Sequence, residues 1–429
     1  PSSKILRSHV FPRSCWRCRS QLFDEWRRRT KSIGRNEFAL RGISKNSDDM
    51  RPLEGLIVLE FCQFLAGPSA GLKLADLGAR VIKIERPVKG EACRQLSIKD
   101  LFVDDSSLLF HTINRNKESF AADLKNPDDL ILIKKLIEKA DIMTHNFRPG
   151  VMEKIGLDFE NTLSINPQII YGTITGYGNE GPWAKKPGQD LLLQSLSGLS
   201  WLSGRKSQGP VPFGLAVADL MCGNHFVQGI LAALLKRAKT KKGVLVEVSL
   251  LESILDVQFE AITSFLNDGG QLPERGDIKG SAHAFLSAPY GVYQTKDGYL
   301  SLAMGDLIFI GKTLGLDLNA FADKHLWFEK RDEIRTILSE RIQTQTSDHW
   351  IEILQKEGIW CGKVFNYEEL DNQPFVNELQ LKQTVKNTEG ETLVTTRSPI
   401  QLDGEILLSE KAAPKVGQDN LRIQEEFIQ

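Results

Sequence analysis

Residues 52–87 predict an α/β fold, a parallel sheet with helices packed on it, and the later part of the chain predicts a smaller α+β domain. Three observations carry this. Ile57–Phe61 is a short apolar run with β-branched residues, and Ala79–Glu85 is a second one. Between them Leu72–Leu77 has helical spacing, and Gly78 suits a helix C-terminus. Strand, helix and strand in that order form a βαβ unit, which needs a parallel sheet. The loop Leu65-Ala66-Gly67-Pro68 is expected to break the first strand before the helix starts.

The alternation continues. Asp128–Lys139 follows Pro127 and places Leu130, Ile133, Leu136 and Ile137 on one face, so a helix is expected there. Ala140–Thr144 and Gln168–Thr175 read as further strands, each followed by a loop rich in Gly, Pro or Asn. Residues 220–237 read as a helix. Gly223 and Gly229 lower its propensity, so close packing has to compensate. Val244–Ser249 is a strand and Leu250–Leu266 a helix, and the polar, Gly-rich 269–280 is a linker. Beyond it, Tyr293-Gln294-Thr295-Lys296-Asp297-Gly298-Tyr299 has a hairpin pattern, and amphipathic helices run to about Glu357. The domain boundaries that follow are 1–45 without fold, 50–270 for the large domain and 275–365 for the small one.

The 429 residues are 41% hydrophobic and 25% charged, an ordinary globular balance. No apolar run approaches the roughly 18 residues of a membrane span, so no membrane partner is expected. The net charge of −1 hides an asymmetry. Residues 1–45 hold 12 Lys and Arg against 3 Asp and Glu, with several serines and scattered Phe, Leu and Trp. This basic, potentially amphipathic segment resembles a mitochondrial presequence, with a disordered basic arm or a nucleic-acid tail as the alternatives, and a matrix location is expected. Without it the chain is acidic, and no nucleic-acid partner is expected. Cys62, Cys93, Cys222 and Cys361 are scattered, as in a reducing compartment. Cys15 and Cys18 form only half of a zinc pattern, so no metal is expected.

Two motifs bear on chemistry. Glu85 ends the second strand 18 residues after Gly67, as an acidic residue does in dinucleotide sites. The loop, however, reads Gly67-Pro68-Ser69-Ala70-Gly71, and Pro68 lacks a donor that a pyrophosphate would use, so that reading is rejected. Further on, Ala216-Val217-Ala218-Asp219-Leu220-Met221-Cys222-Gly223 sets a carboxylate between an apolar run and a helix. From pattern alone Asp219 is first a candidate N-cap, and second a nucleophile.

The segment L-x-G-x-x-V-L-x-F from Leu53, then Ala66-Gly67-Pro68, then Ala75-Asp76-Leu77-Gly78-Ala79-x-Val81-Ile82-Lys83-Ile84-Glu85-Arg86-Pro87 resembles the opening of the family III CoA-transferases (CaiB/BaiF type). That group also holds α-methylacyl-CoA racemases. The resemblance implies that Asp219 is the nucleophile, that CoA is a substrate with no other cofactor, that the large domain is Rossmann-like and is completed by a return of residues 366–429, and that the protein is an interlocked homodimer. It implies CoA contacts at Leu65, Ala66, Arg86, Lys125, Asn146, Phe147, Arg148 and Lys154. In racemases a histidine precedes the aspartate of the segment matching Pro187-Gly188-Gln189-Asp190-Leu191. Here it is Gln189, which cannot take up a proton near neutral pH, so acyl transfer is expected over 2-methylacyl-CoA racemisation. Gln189 and Asp190 are then supporting residues. A non-catalytic CoA-binding protein is the third reading, opposed by Asp219. Lys279–Phe285 lacks the glycine run of the formyl-CoA transferases, which points away from oxalate and formate. Across its length the chain is most similar to the mitochondrial succinate–glutarate branch, which implies transfer of CoA from succinyl-CoA to a dicarboxylic acid such as glutarate. Arg275 and His283 are the candidate cations for the acceptor's distal carboxylate.

Overall fold

The computed structural model describes residues 50–272 and 274–427; the basic segment 1–45, with Cys15 and Cys18, lies outside them. From Arg51 onward the chain forms one compact unit. Its first half is built on six strands: β1 (Ile57–Glu60), β2 (Arg80–Glu85), β3 (Glu118–Ala121), β4 (Ile142–His145), β5 (Ile170–Thr175) and β6 (Val244–Ser249). All pair in parallel, in the order β3-β2-β1-β4-β5-β6. This is the Rossmann order, with its reversal between β1 and β4.

Adjacent residues on these strands serve opposite faces. Val58, Val81, Ile142 and Ile170 join one buried cluster, while Leu59, Ile82, Met143 and Tyr171 join the other. A sheet apolar on both faces needs cover on both. The first face is covered by α1 (Ala66–Asp76), α4 (Asp190–Leu196), α5 (Val217–Thr240) and α6 (Leu250–Val257). The second is covered mainly by α3 (Pro127–Lys139), through Ile133, Leu136 and Ile137. α2 (Leu108–Asn114) precedes β3. By length and composition α5 could cross a membrane, but Ala218, Cys222, Phe226, Ile230 and Ala233 are buried in the first core.

The glycines of α5 are where helices and strands meet most closely. A Cβ at Gly223 would fall 2.5 Å from Ser69 Oγ and 2.8 Å from the Ala66 carbonyl, and one at Gly229 would fall 2.7 Å from Val246. The compensation expected for their poor propensity is therefore packing against α1 and β6. Two segments depart from expectation by more than a shift of their ends. Gly67 and Pro68 sit inside the first turn of α1, where a missing proline N–H costs nothing, so the break is confined to residues 61–65. Leu250–Leu266 is not one helix: it is interrupted at Gln258, and α7 (Phe259–Asn267) follows.

The later part of the chain carries its own core. β7 (Gly291–Gln294) and β8 (Tyr299–Leu302) form the expected hairpin, and β9 (Cys361–Lys363) adds antiparallel to β8. Helices α8 (Leu307–Leu314), α9 (Arg331–Ile342) and α10 (Ser347–Lys356) pack on this sheet around Tyr293, Trp327 and Trp350. The chain then forms the hairpin of β10 (Lys382–Lys386) and β11 (Thr392–Thr396) and returns to the large sheet. There Asp419 accepts from Ser119 N at 2.9 Å, and Asn420 bonds both N and O of Ala121. The returning segment thus covers β3, the outer strand, before α11 (Asn420–Phe427) begins.

Candidate active site

A cleft of about 970 Å³ opens at the C-terminal ends of β1, β4 and β5, beside the sheet's reversal point. Its walls hold Gln63–Ala66, Leu96–Ile98, Asn146–Pro149, Gly188–Leu191, Phe213–Ala216 and Asp219. Eight expected residues meet in it from different strand ends: Leu65, Ala66, Asn146, Phe147, Arg148, Gln189, Asp190 and Asp219. Arg86 is exposed beside a separate small hollow that shares Gln63 and Phe147 with the cleft. Lys125 and Lys154 are exposed and line neither.

Asp219 is not the cap of its helix. α5 starts two residues earlier, at Val217, and its N-cap Ala216 makes no side-chain bond. The capping acceptor comes from α4 instead: Asp190 Oδ1 accepts from Ala218 N at 2.7 Å and Asp219 N at 3.2 Å. Its other oxygen accepts from Gln194 Nε2 at 2.6 Å. Gln194 is buried, and its own oxygen accepts from Phe213 N while its nitrogen donates to the Leu215 carbonyl. Asp190 and Gln194 therefore fix the 213–216 loop and the start of α5 together. Val217 N is also engaged, with the Leu215 carbonyl. The first amides of α5 are thus not open as oxyanion donors, contrary to the simplest reading of a helix start.

The Asp219 carboxylate receives no hydrogen bond and no cation among the described residues. Burial and the facing charge of Asp190 push its carboxyl up to about 7. Gln189, the N-cap residue of α4, makes no side-chain bond among the described residues and faces the cleft.

The Asn146 side chain, on the cleft wall, also bonds a neighbouring turn. Its Oδ1 accepts from Gln63 N at 2.8 Å and its Nδ2 donates to Gln63 O at 2.7 Å. This two-way bond crosses the reversal point and ties the end of β4 to the β1–α1 turn. Glu85, rejected as a ribose ligand, is buried and forks onto Arg94 at 2.8 and 2.6 Å. Burial opposes its ionisation, but Arg94 holds its carboxyl below the usual range.

Arg275 and His283 stand outside the cleft walls. Arg275 is buried, donates to the Ser203 carbonyl and stacks on Trp201 at 5.6 Å. His283 faces Glu260 at 3.7 Å. The cations on the cleft walls, among the described residues, are Arg148 and Lys186. Lys186 was not singled out from sequence: it rests 4.3 Å from the Trp183 ring centroid, with no acidic partner among the described residues. Its one sequence signal is its place three residues before Gln189.

The CoA-transferase family III model matches residues 53–420. The succinyl-CoA:glutarate CoA-transferase of Mus musculus is 35% identical over 324 residues, 74% of this chain and 73% of its own length. The succinate–glutarate CoA-transferase of Agrobacterium fabrum is 32% identical over 388 residues, 88% of this chain and 96% of its own. A crystal structure of a CaiB/BaiF family protein from Brucella suis superposes with a TM-score of 0.77 at 31% identity, covering 88% of this chain and 99% of that one.

Proposed function

The chain belongs to CoA-transferase family III, and on that premise we propose that it passes CoA from succinyl-CoA to a dicarboxylic acid such as glutarate, with Asp219 as the group that carries the acyl unit. One observation carries the assignment of the nucleophile. Asp219 is a carboxylate in the shared cleft with no cation among the described residues to quench it and another carboxylate beside it. A carboxylate so placed is a better nucleophile than one in an ion pair.

The steps balance without an outside reagent. Asp219 attacks the thioester carbonyl, forming an aspartyl–succinyl anhydride as CoA leaves as the thiolate. The thiolate attacks the Asp219 carbonyl, giving an aspartyl-CoA thioester and free succinate. Glutarate attacks that thioester, giving an aspartyl–glutaryl anhydride and thiolate once more. The thiolate takes the glutaryl carbon, and Asp219 is restored. Charge on the tetrahedral oxygens needs donors, and the Gln189 carboxamide, unbonded among the described residues and on the wall of the same cleft, can supply one.

A dicarboxylate also needs a cation for its far end. Lys186 fills that role, since it shares the loop of Gln189 and Asp190. Arg148 lies on the Asn146 side and suits CoA. Among the described residues racemisation finds no histidine on the cleft walls, and the Asp190 carboxylate is taken up by the amides of Ala218 and Asp219 and by Gln194. Gln189 does not titrate, and His145 is outside the cleft walls with burial pushing its pKa down to about 4. His225 faces Asp256 at 3.2 Å, also outside them.

The homodimer is part of the same proposal. No residue of α7 is buried, and Phe259 and Leu266 are 65% and 69% exposed. An apolar face of that kind suits cover by a second copy. The mitochondrial location rests on residues 1–45 alone, and import of a reporter fused to them tests it.

The central test is exchange. Succinyl-CoA with glutarate should yield glutaryl-CoA and succinate. Succinyl-CoA alone should leave CoA in thioester linkage on the intact chain at Asp219. Failure of both would refute the function, and an adduct elsewhere would refute the nucleophile.

A further inference from the structure

The turn between β1 and α1 is strained and held from beneath. Phe64 adopts φ = 64°, the left-handed region that an aromatic L-residue enters only under constraint. Its side chain is half exposed and lines the cleft. Around it, four main-chain atoms are gripped by side chains. Gln63 N and O are held by Asn146. Phe64 N donates to Glu91 Oε2 at 2.8 Å. The Cys62 carbonyl accepts from Lys83 Nζ, also at 2.8 Å.

The last two grips come from a buried ionic network. Lys83 lies 3.1 Å from both Glu60 and Glu91. Glu60 also accepts from Lys117 Nζ, which reaches the Pro68 carbonyl in the first turn of α1 at 2.8 Å. Glu60, Lys83 and Lys117 are fully buried and Glu91 is 3% exposed. Buried ion pairs are poor sources of net stability, because apolar residues of like volume often serve as well. Apolar residues could not hold an amide and a carbonyl of the cleft wall.

We propose that Glu91 and Lys83 are positioning residues that keep the strained Phe64 turn in the shape that receives the pantetheine arm of acyl-CoA. They set acyl-CoA affinity and leave the chemical step alone. This rests on the cleft being the acyl-CoA site.

Two variants of the full-length protein test it, with CoA as calorimetric titrant and succinyl-CoA and glutarate as substrates. Glu91→Gln keeps an oxygen for Phe64 N–H but removes the charge facing Lys83. Phe64→Gly removes the strain and with it the preformed turn. Each should raise the CoA Kd and the KM for succinyl-CoA about tenfold, with kcat and the glutarate KM within about twofold. Phe64→Gly should do so with thermal stability unchanged or raised, which a purely structural role would not produce. Unchanged Kd and KM in both variants, or a fall in kcat with KM unchanged, overturns the proposal while the transferase reading stands. Failure of the unsubstituted protein to bind CoA overturns both.

Discussion

Two groups of carboxylates flank the cleft, and they are treated in opposite ways. Under the β1–α1 turn, Glu60, Glu85 and Glu91 are buried and each has a Lys or Arg within 3.1 Å. On the other wall Asp219 and Asp190 share the start of α5 with no cation between them. Neutralised carboxylates fix backbone. A carboxylate left beside a like charge keeps its nucleophilicity at the expense of a raised pKa. The same residue type thus gives rigidity on one wall and reactivity on the other.

The largest effect should come from removing the reactive member. Asp219→Asn should lower exchange on the order of 10⁴-fold or more in a coupled glutaryl-CoA assay. It should also be more stable than the parent at pH 8. The folded-state pKa of about 7 lies above the ordinary 3.8, so folding favours the protonated form. Stability from this group is present at low pH and is lost as pH rises through about 7. The advantage of the Asn variant should therefore vanish near pH 4, and a constant difference across pH would contradict the shift.

The neutralised wall should respond in the opposite sense. Lys83→Met leaves Glu60 and Glu91 buried without their shared partner and should cost roughly 3–5 kcal/mol in denaturant unfolding. A cost below that of an ordinary surface change would mean that the network is not tightly closed.

A smaller effect is expected from Lys186→Met. The kcat/KM for glutarate should fall roughly 10–100-fold, the scale of one charge-assisted hydrogen bond. That for butyrate, which lacks the second carboxylate, should not change. Equal losses for both acids would remove Lys186 from the distal site.

The smallest change sharpens the comparison itself. Asp190→Asn retains an oxygen for the amides of Ala218 and Asp219 but removes the charge facing the nucleophile. The acidic limb of kcat/KM against pH, expected near 7 in the parent, should move to lower pH. A limb that stays near 7 would assign the shift to burial alone.

Local patterns revealed most of the sheet. Val244–Ser249 has the bounds expected from its β-branched run, and Arg80–Glu85 differs by one residue. β3 was not legible. Glu118-Ser119-Phe120-Ala121 has one large apolar residue, and its strand pairing is completed by Asp419 and Asn420 from the far end of the chain. The site divides in the same way. Asp219 could be read from its local motif, because a reacting group has to sit at a strand end or helix start. Its cap could not, since Asp190 lies 29 residues away and competes with the simpler reading that Asp219 caps itself. Asn146 is expected as a CoA contact, and its amide also bonds Gln63, a tie between strand ends that no local pattern shows. Which side chains hold the backbone and which face a ligand depends on contacts that periodicity does not encode.

The closure of β3 by the returning C-terminus has a consequence for biosynthesis. Ser119 meets Asp419 across 300 residues of sequence. At ribosomal rates of about 5–20 residues per second, on the order of 15–60 s separate the making of that strand from the making of its cover. During that interval the outer edge of a hydrophobic parallel sheet is unsealed, and an unpaired edge is a template for another chain. The nascent protein is thus most prone to self-association until Asp419 and Asn420 emerge, and a truncation short of Asp419 would make that interval permanent.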